Sequence, residues 1–404
     1  MFFLAKTFQK QGFLAALLST VLFSPSAGQA QEASVKIVST LPMTGSAFGQ
    51  TQTMVNAIQQ ALDARKSMVC EGKVKVNYEV YDDATAAAGK WDPAQVTTNA
   101  QKIAADKDVV AVIGHFNSGA AKVSIPILNE AQVPMVSPAN TAVGLTKPGG
   151  EPGEPEKYYP TGIRTYARVV PADDLQGVAA AKWSQSLGVK KVYILDDQEL
   201  YGKGIADVFE RTAKELGIEV LGREGIDGKA TDYRALMTKI KDLAPDLIYF
   251  GGITQNNAGQ LIKDIRAVGM AEVKFMGPDG VFENAFIEAG GQAAEGSYAT
   301  FGGLPPAELQ GAAKEWYENY KAQFKSEPEP YAVYAFEAAN VVLDAINTVC
   351  KKDRVAIREA IMATKDYKGV LGTWSFDQNG DTSLTTFSGQ VVKDGKWQFV
   401  QVIE

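Results

Sequence analysis

The stretch Val109–Thr146, VVAVIGHFNSGAAKVSIPILNEAQVPMVSPANTAVGLT, constrains the fold more than any other part of the chain. Val109 to Ile113 is a short apolar run of the kind that forms a strand buried on both faces. Val123, Ile127 and Leu128 have helical spacing, and Ser118 stands where the cap of that helix belongs. Val133 to Val136 reads as the next strand, and Thr141 heads a second short helical turn. A strand–helix–strand unit is right-handed and brings its strands in parallel. In an open parallel sheet, ligands bind beyond the carboxyl ends of the strands. Two polar turns lie at such ends, Asn117-Ser118-Gly119 and Pro138-Ala139-Asn140-Thr141. Each is expected to offer free backbone N–H groups and a hydroxyl beside a helix N-terminus, which suits a carboxylate. One such turn is an ordinary cap; two on successive strands point to a shared anion site.

The elements on either side extend the same pattern. Val35 to Leu41 is a strand, followed by the glycine-containing loop Pro42–Gln50 and a helix from Thr51 to Ser67. Val74, Val76, Tyr78 and Val80 alternate as a strand, and Asp92-Pro93 is a strong helix start. The run Lys147–Glu156, rich in Pro, Gly and Glu, is a long surface loop, either a rim element or a passive insertion. From Asp173 to Met276 strands and helices alternate again as a second doubly wound unit. The alternation then stops. Helices are expected from Pro305 to Phe324, Tyr331 to Val349 and Arg354 to Ala363, and a hairpin from Phe387 to Ile403 turns at Asp394-Gly395. Helices first and hairpin last suggest a return to the first unit and a finish on the second.

The ends and the composition narrow the function. Lys6 and Lys10 precede an apolar run of about 12 residues, Gly12 to Phe23, too short to span a bilayer. Pro25 and the small residues before Gln31 complete an export signal over residues 1–30, without a cleavage-site Cys that would carry a lipid. The expected compartment is a bacterial periplasm. A net charge of −7 does not suggest a nucleic-acid partner. One His and two Cys cannot supply three ligands of either type to a transition metal, and no cofactor motif is present. The segment Asp377–Asp381 is too short for a calcium loop and reads as a turn. Cys70 and Cys350 each follow a predicted helix; in an oxidising compartment they are expected to pair, the alternative being two buried thiols.

Catalysis finds no support. Ser118 lies three residues after His115, so no independent base faces it, and no nucleophile elbow surrounds it. His115 reads as a packed or hydrogen-bonded strand residue.

The ordered segments VIGHFNS, SPANT, YGKG and FMGPDG resemble the branched-chain amino acid binding proteins of bacterial ABC importers, which have the type I periplasmic binding fold. The likeness runs through nearly the whole mature chain. It implies two doubly wound α/β lobes on a three-segment hinge, with lobe one at residues 31–169 and 302–374 and lobe two at 170–301 and 375–404. It implies that Ser118 holds a ligand carboxylate, and that Ala139 and Thr141 hold carboxylate and ammonium. On lobe two it implies that Tyr201 covers the ligand and Asp279 pairs with the ammonium. The chain departs from the pattern at Asp279, often Glu in the family, and at Ile253, where a second aromatic is expected; Phe48 occupies an aromatic wall position. The head-group chemistry of an amino acid is kept, and the side-chain pocket is its own. The resemblance implies a monomeric receptor for an amino acid, neutral and aliphatic, that meets an inner-membrane permease. A sensor, or a receptor for an amide, urea or aromatic acid, is the alternative; the export signal argues against a cytoplasmic regulator.

Overall fold

The computed structural model describes residues 33–403; the export segment read at 1–30 lies outside them. The first half is β1 (Ala33–Leu41), α1 (Phe48–Ala64), the two-residue β2 (Met68–Val69), β3 (Val74–Asp82), α2 (Pro93–Ala105), β4 (Val109–Gly114), α3 (Ser118–Glu130), β5 (Met135–Ser137) and β6 (Tyr166–Arg168). These strands form one sheet in the order β2-β3-β1-β4-β5-β6, parallel except for β2. Successive side chains of a strand point to opposite faces. Ile37 and Ile113 accordingly pack with Met54 and Ile58 of α1, while Val38 and Val112 pack with Ile103 and Ile125 of α2 and α3. Both faces are covered, which is why β4 is buried along its whole length. Asp92 caps α2 as its sequence requires, accepting from the N–H groups of Ala94 (2.9 Å) and Gln95 (3.0 Å).

The chain then passes to α4 (Asp173–Ser186), β7 (Lys191–Asp196), α5 (Leu200–Glu215), β8 (Glu219–Gly225), α6 (Arg234–Lys241), β9 (Leu247–Gly251), α7 (Ala258–Ala267), β10 (Lys274–Gly277), α8 (Asn284–Gly290) and β11 (Tyr298–Gly302). It continues through α9 (Ala312–Phe324), α10 (Ala332–Val349), α11 (Arg354–Met362), the small ribbon β12 (Tyr367–Gly369) and β13 (Gly372–Trp374), and the hairpin β14 (Phe387–Lys393) and β15 (Lys396–Ile403). The second sheet has the order β15-β14-β11-β10-β9-β7-β8, parallel up to β11 and closed by the antiparallel hairpin.

The late helices return to the first sheet. Arg65, directly after α1, bonds Asp344 on α10 (2.8 Å), and Arg354 donates to the Val109 carbonyl (2.8 Å). Cys70 and Cys350 are joined across 280 positions of sequence. The chain therefore crosses between the sheets three times: between β6 and α4, between β11 and α9, and between β13 and β14. Arg168, at the first crossing, is fully buried and bonds Asp381 from the third at 2.7 Å. The turn at Asp377–Asp381 thus ends in a charge pair that joins two crossings.

One expected helix starts later than its sequence suggests. Helix α9 begins at Ala312, because the Pro305-Pro306 segment makes only a single 3₁₀ turn and Gly311 intervenes with φ +58°. The loop at 147–156 is held down: Glu151 meets Lys122 and Lys157 (2.7 Å each), and buried Glu154 accepts from the Tyr158 hydroxyl (2.6 Å).

Candidate functional site

A cleft of ≈ 380 Å³, including its open mouth, lies between the two sheets. Every side chain that forms it follows the carboxyl end of a strand, except one from the start of α10. From the first sheet come Phe116, Ser118 and Gly119 after β4, and Ala139 and Thr141 after β5. From the second come Glu199 and Tyr201 after β7, Ile253 after β9, and Asp279 after β10. Tyr331, the residue before α10, closes the back. Ser118, Ala139, Thr141, Tyr201, Ile253 and Asp279 are thus brought together. Phe48 stands apart, 46 % exposed at the head of α1. Its loop is drawn toward β3 instead, where Asp82 accepts from Met43 N–H (2.8 Å) and the Thr44 hydroxyl (2.6 Å).

The first-sheet side is a donor surface. Helix α3 starts at Ser118 itself, with Asn117 as its cap residue. Ser118 is therefore in the first turn, where N–H groups have no intrahelical acceptor. Its hydroxyl accepts from Ala142 N–H at 3.2 Å, tying the two polar turns together. The second turn offers fewer free donors than its sequence suggests, because the Ser137 hydroxyl already takes the N–H groups of Ala139 (3.1 Å) and Asn140 (2.8 Å). Thr141 is left as that turn's contribution.

The second-sheet side is acidic. Asp279 opens a 3₁₀ turn and caps nothing; α8 starts five residues later. Its carboxylate accepts from the hydroxyls of Tyr201 (2.7 Å) and Tyr331 (2.5 Å). Burial holds the Asp279 carboxyl above its ordinary pKa, and these hydroxyls oppose the shift. Behind it lies Asp173, the first residue of α4, with no exposed surface and within reach of the Thr141 hydroxyl. Burial first, and then the charge of Asp279, push Asp173 well above the usual carboxylate range. A buried acid across a cleft from hydroxyls and helix-start N–H groups can receive one molecule carrying both a cation and an anion. Ile253, Phe116 and the tyrosine rings form an apolar wall beside them.

His115 has no part in the cleft. Its Nδ1 meets Asp83 (2.6 Å) and its Nε2 meets Ser124 (2.8 Å), not Ser118. All three side chains are sealed from solvent, so the acid–imidazole–hydroxyl row ties β3, β4 and α3 together.

The sequence model of the periplasmic binding protein family matches residues 34–396. The chain belongs to that family. Its relatives include Leu/Ile/Val-binding protein homolog 2 of Brucella abortus, 32% identical over 368 residues, which are 89% of this chain and 91% of the relative. Among solved structures, a leucine binding protein of Thermotoga maritima superposes with TM-score 0.80 at 28% identity, over 91% of this chain and 98% of the other. A branched-chain amino acid transporter substrate-binding protein of Streptococcus pneumoniae in complex with isoleucine gives 0.77 at 25% identity, over 91% and 99%. The fold is that of a type I periplasmic binding protein, whose members bind and do not catalyse.

Within this periplasmic binding protein, sequence reading missed Tyr331, Asp173, Glu199 and Phe116. Tyr331 reads as a plain helix start, and only the return of α10 to the first sheet brings it against Asp279. Asp173 did carry a signal: an acid directly behind Pro171 and Ala172, at the start of the second unit.

Proposed function

We propose that this chain is the exported substrate-binding component of an ABC importer, which closes on a free amino acid with a short uncharged side chain and presents it to an inner-membrane permease. Residues 1–30 serve as its signal for the periplasm, and it acts as a monomer. Ser118 and the first turn of α3 take the ligand carboxylate, Thr141 and the Ala139 carbonyl complete the head-group contacts, and Asp279 takes the ammonium. Tyr201 and Ile253 line the side-chain space. The hinge lies at the three crossings between the sheets.

The observation that carries this reading is the buried acid Asp279, with Asp173 behind it, set across the cleft from the Ser118 turn. A buried carboxylate needs a counter-charge, and the cleft supplies none of its own. An amide, urea or aromatic acid brings no cation to it. The names of the relatives, which specify leucine, isoleucine and valine, agree with this choice.

Thermal melting of refolded, ligand-stripped protein against amino acids, amides and aromatic acids tests the assignment. A ligand at 100 times its Kd adds about 2.7 kcal/mol of stability, so leucine, isoleucine or valine should raise the midpoint and the other classes should not. A shift with an aromatic acid and none with any amino acid would refute it.

A further inference from the structure

At Glu199 the cleft is bounded by a bridge between the two halves of the molecule. Lys90 and Trp91 stand between β3 and α2 on the first half; Glu199 and Asn256 follow β7 and β9 on the second. The Lys90 ammonium bonds Glu199 and also Asn256 Oδ1 at 2.5 Å. Trp91 Nε1 donates to the other Glu199 oxygen at 3.1 Å. Both oxygens of Glu199 are thus held from across the cleft, and Glu199 itself lines it.

On the far side of the bridge is a second cleft of ≈ 590 Å³, including its mouth. Lys90 and Asn256 line it, together with the polar residues Asp197, Gln198, Asp227 and Lys229. Residues 197–199 run from one cleft to the other, so the bridge is the wall between them. The wall also sets a charge. Glu199 is a second acid on the ligand side of lobe two, and Lys90 neutralises it. A ligand ammonium or guanidinium arriving there finds its place already taken by a like charge. Trp91 keeps Glu199 aimed even without the lysine, because its ring is seated on Gly119, where a Cβ would come within 2.5 Å of it.

We propose that the Lys90–Glu199 bridge is the specificity-determining partition of this receptor: it limits ligands to short, uncharged side chains and excludes basic amino acids. With Lys90 removed, the clefts join and Glu199 faces the extended pocket as an unpaired carboxylate, the partner that the side chain of lysine or arginine requires.

This inference rests on the amino acid reading, and calorimetry on ligand-stripped protein separates the two. Wild type should bind L-leucine and show no heat with L-lysine or L-arginine. Lys90→Ala should shift the leucine-to-lysine affinity ratio toward lysine by about tenfold or more, at a loss in leucine affinity of about fivefold or less for the exposed part of the bridge. Lys90→Met, which removes the charge and keeps the bulk, should give a smaller shift. Adding Glu199→Gln to Lys90→Ala should cancel the gain. Wild type that binds lysine as well as leucine, an unchanged ratio in Lys90→Ala, or a gain that survives Glu199→Gln would each overturn the partition while leaving the amino acid reading in place. Wild type that binds no amino acid would overturn both.

Discussion

Asp279→Asn separates the two roles of this carboxylate by giving them opposite signs. The side chain is buried, and its oxygens take the hydroxyls of Tyr201 and Tyr331. Asparagine keeps the shape and one acceptor oxygen, and its amide can donate to a tyrosine oxygen turned to receive it. In the ligand-free protein the change removes an acid whose pKa burial has already raised, so the melting temperature should stay level or rise. In the complex it removes the counter-charge of a buried ammonium. Breaking a buried charge pair from one side costs about 3–5 kcal/mol, or roughly a 150- to 4,000-fold weaker Kd. Asp173 remains behind the site, so the loss should sit toward the lower end, and Asp173→Asn on top should deepen it. Calorimetric titration with L-leucine and melting without ligand supply both readings. A Kd within about threefold of wild type would refute the pairing. A ligand-free protein destabilised by as much as binding is lost would show a structural role instead.

Ser118→Ala should weaken leucine binding by about 1.5–3 kcal/mol, less than Asp279→Asn, because N–H groups of the first helical turn still meet the carboxylate; an equal or larger loss on titration would reverse that ranking. The Cys70–Cys350 bond closes a loop of 280 residues, which in the chain-entropy model constrains the unfolded state by roughly 5 kcal/mol; thiol titration of denatured, unreduced protein should find none free, and reduction should lower the melting temperature. Burial pushes Asp197 up to about 7, with the charge of Glu199 adding to it, and Glu283 up to about 8. Acids raised on folding stabilise below their unfolded pKa and lose that contribution as pH rises through the folded value, so the ligand-free protein should melt higher at pH 6 than at pH 9, Asp197 contributing about 1 kcal/mol and Glu283 about 3 kcal/mol over that range; a midpoint that climbs over this range would contradict the burial argument. Closure about the three crossings should give a smaller radius of gyration in scattering when leucine is added, and an unchanged radius at saturation would count against a hinge.

Local chemistry was legible in the sequence wherever one element decided it. The apolar run of β4, the Asp92-Pro93 start of α2 and the Asp394-Gly395 turn of the last hairpin each carry their signal within a few residues. The polar turns after β4 and β5 announced Ser118 and Thr141 for the same reason. What needed three dimensions was anything set by the return of the chain. Tyr331 meets Asp279 across 52 positions, and Lys90 meets Glu199 across 109; no periodicity encodes either. The Phe48 expectation failed to find a place in the cleft because Asp82 fixes the preceding loop, a contact 38 positions away. The free N–H groups expected at Ala139 and Asn140 were claimed by the hydroxyl of Ser137, two and three residues upstream and hidden in a strand end.

One cleft should hold both charges of a free amino acid. Calorimetry of ligand-stripped wild type with L-leucine, with the same molecule lacking its amine, and with the same molecule lacking its carboxylate tests it most directly. Leucine alone should bind, since each truncated ligand leaves either the Asp279 pair or the Ser118 turn buried without its partner. Binding of the deaminated acid as tightly as leucine would contradict it.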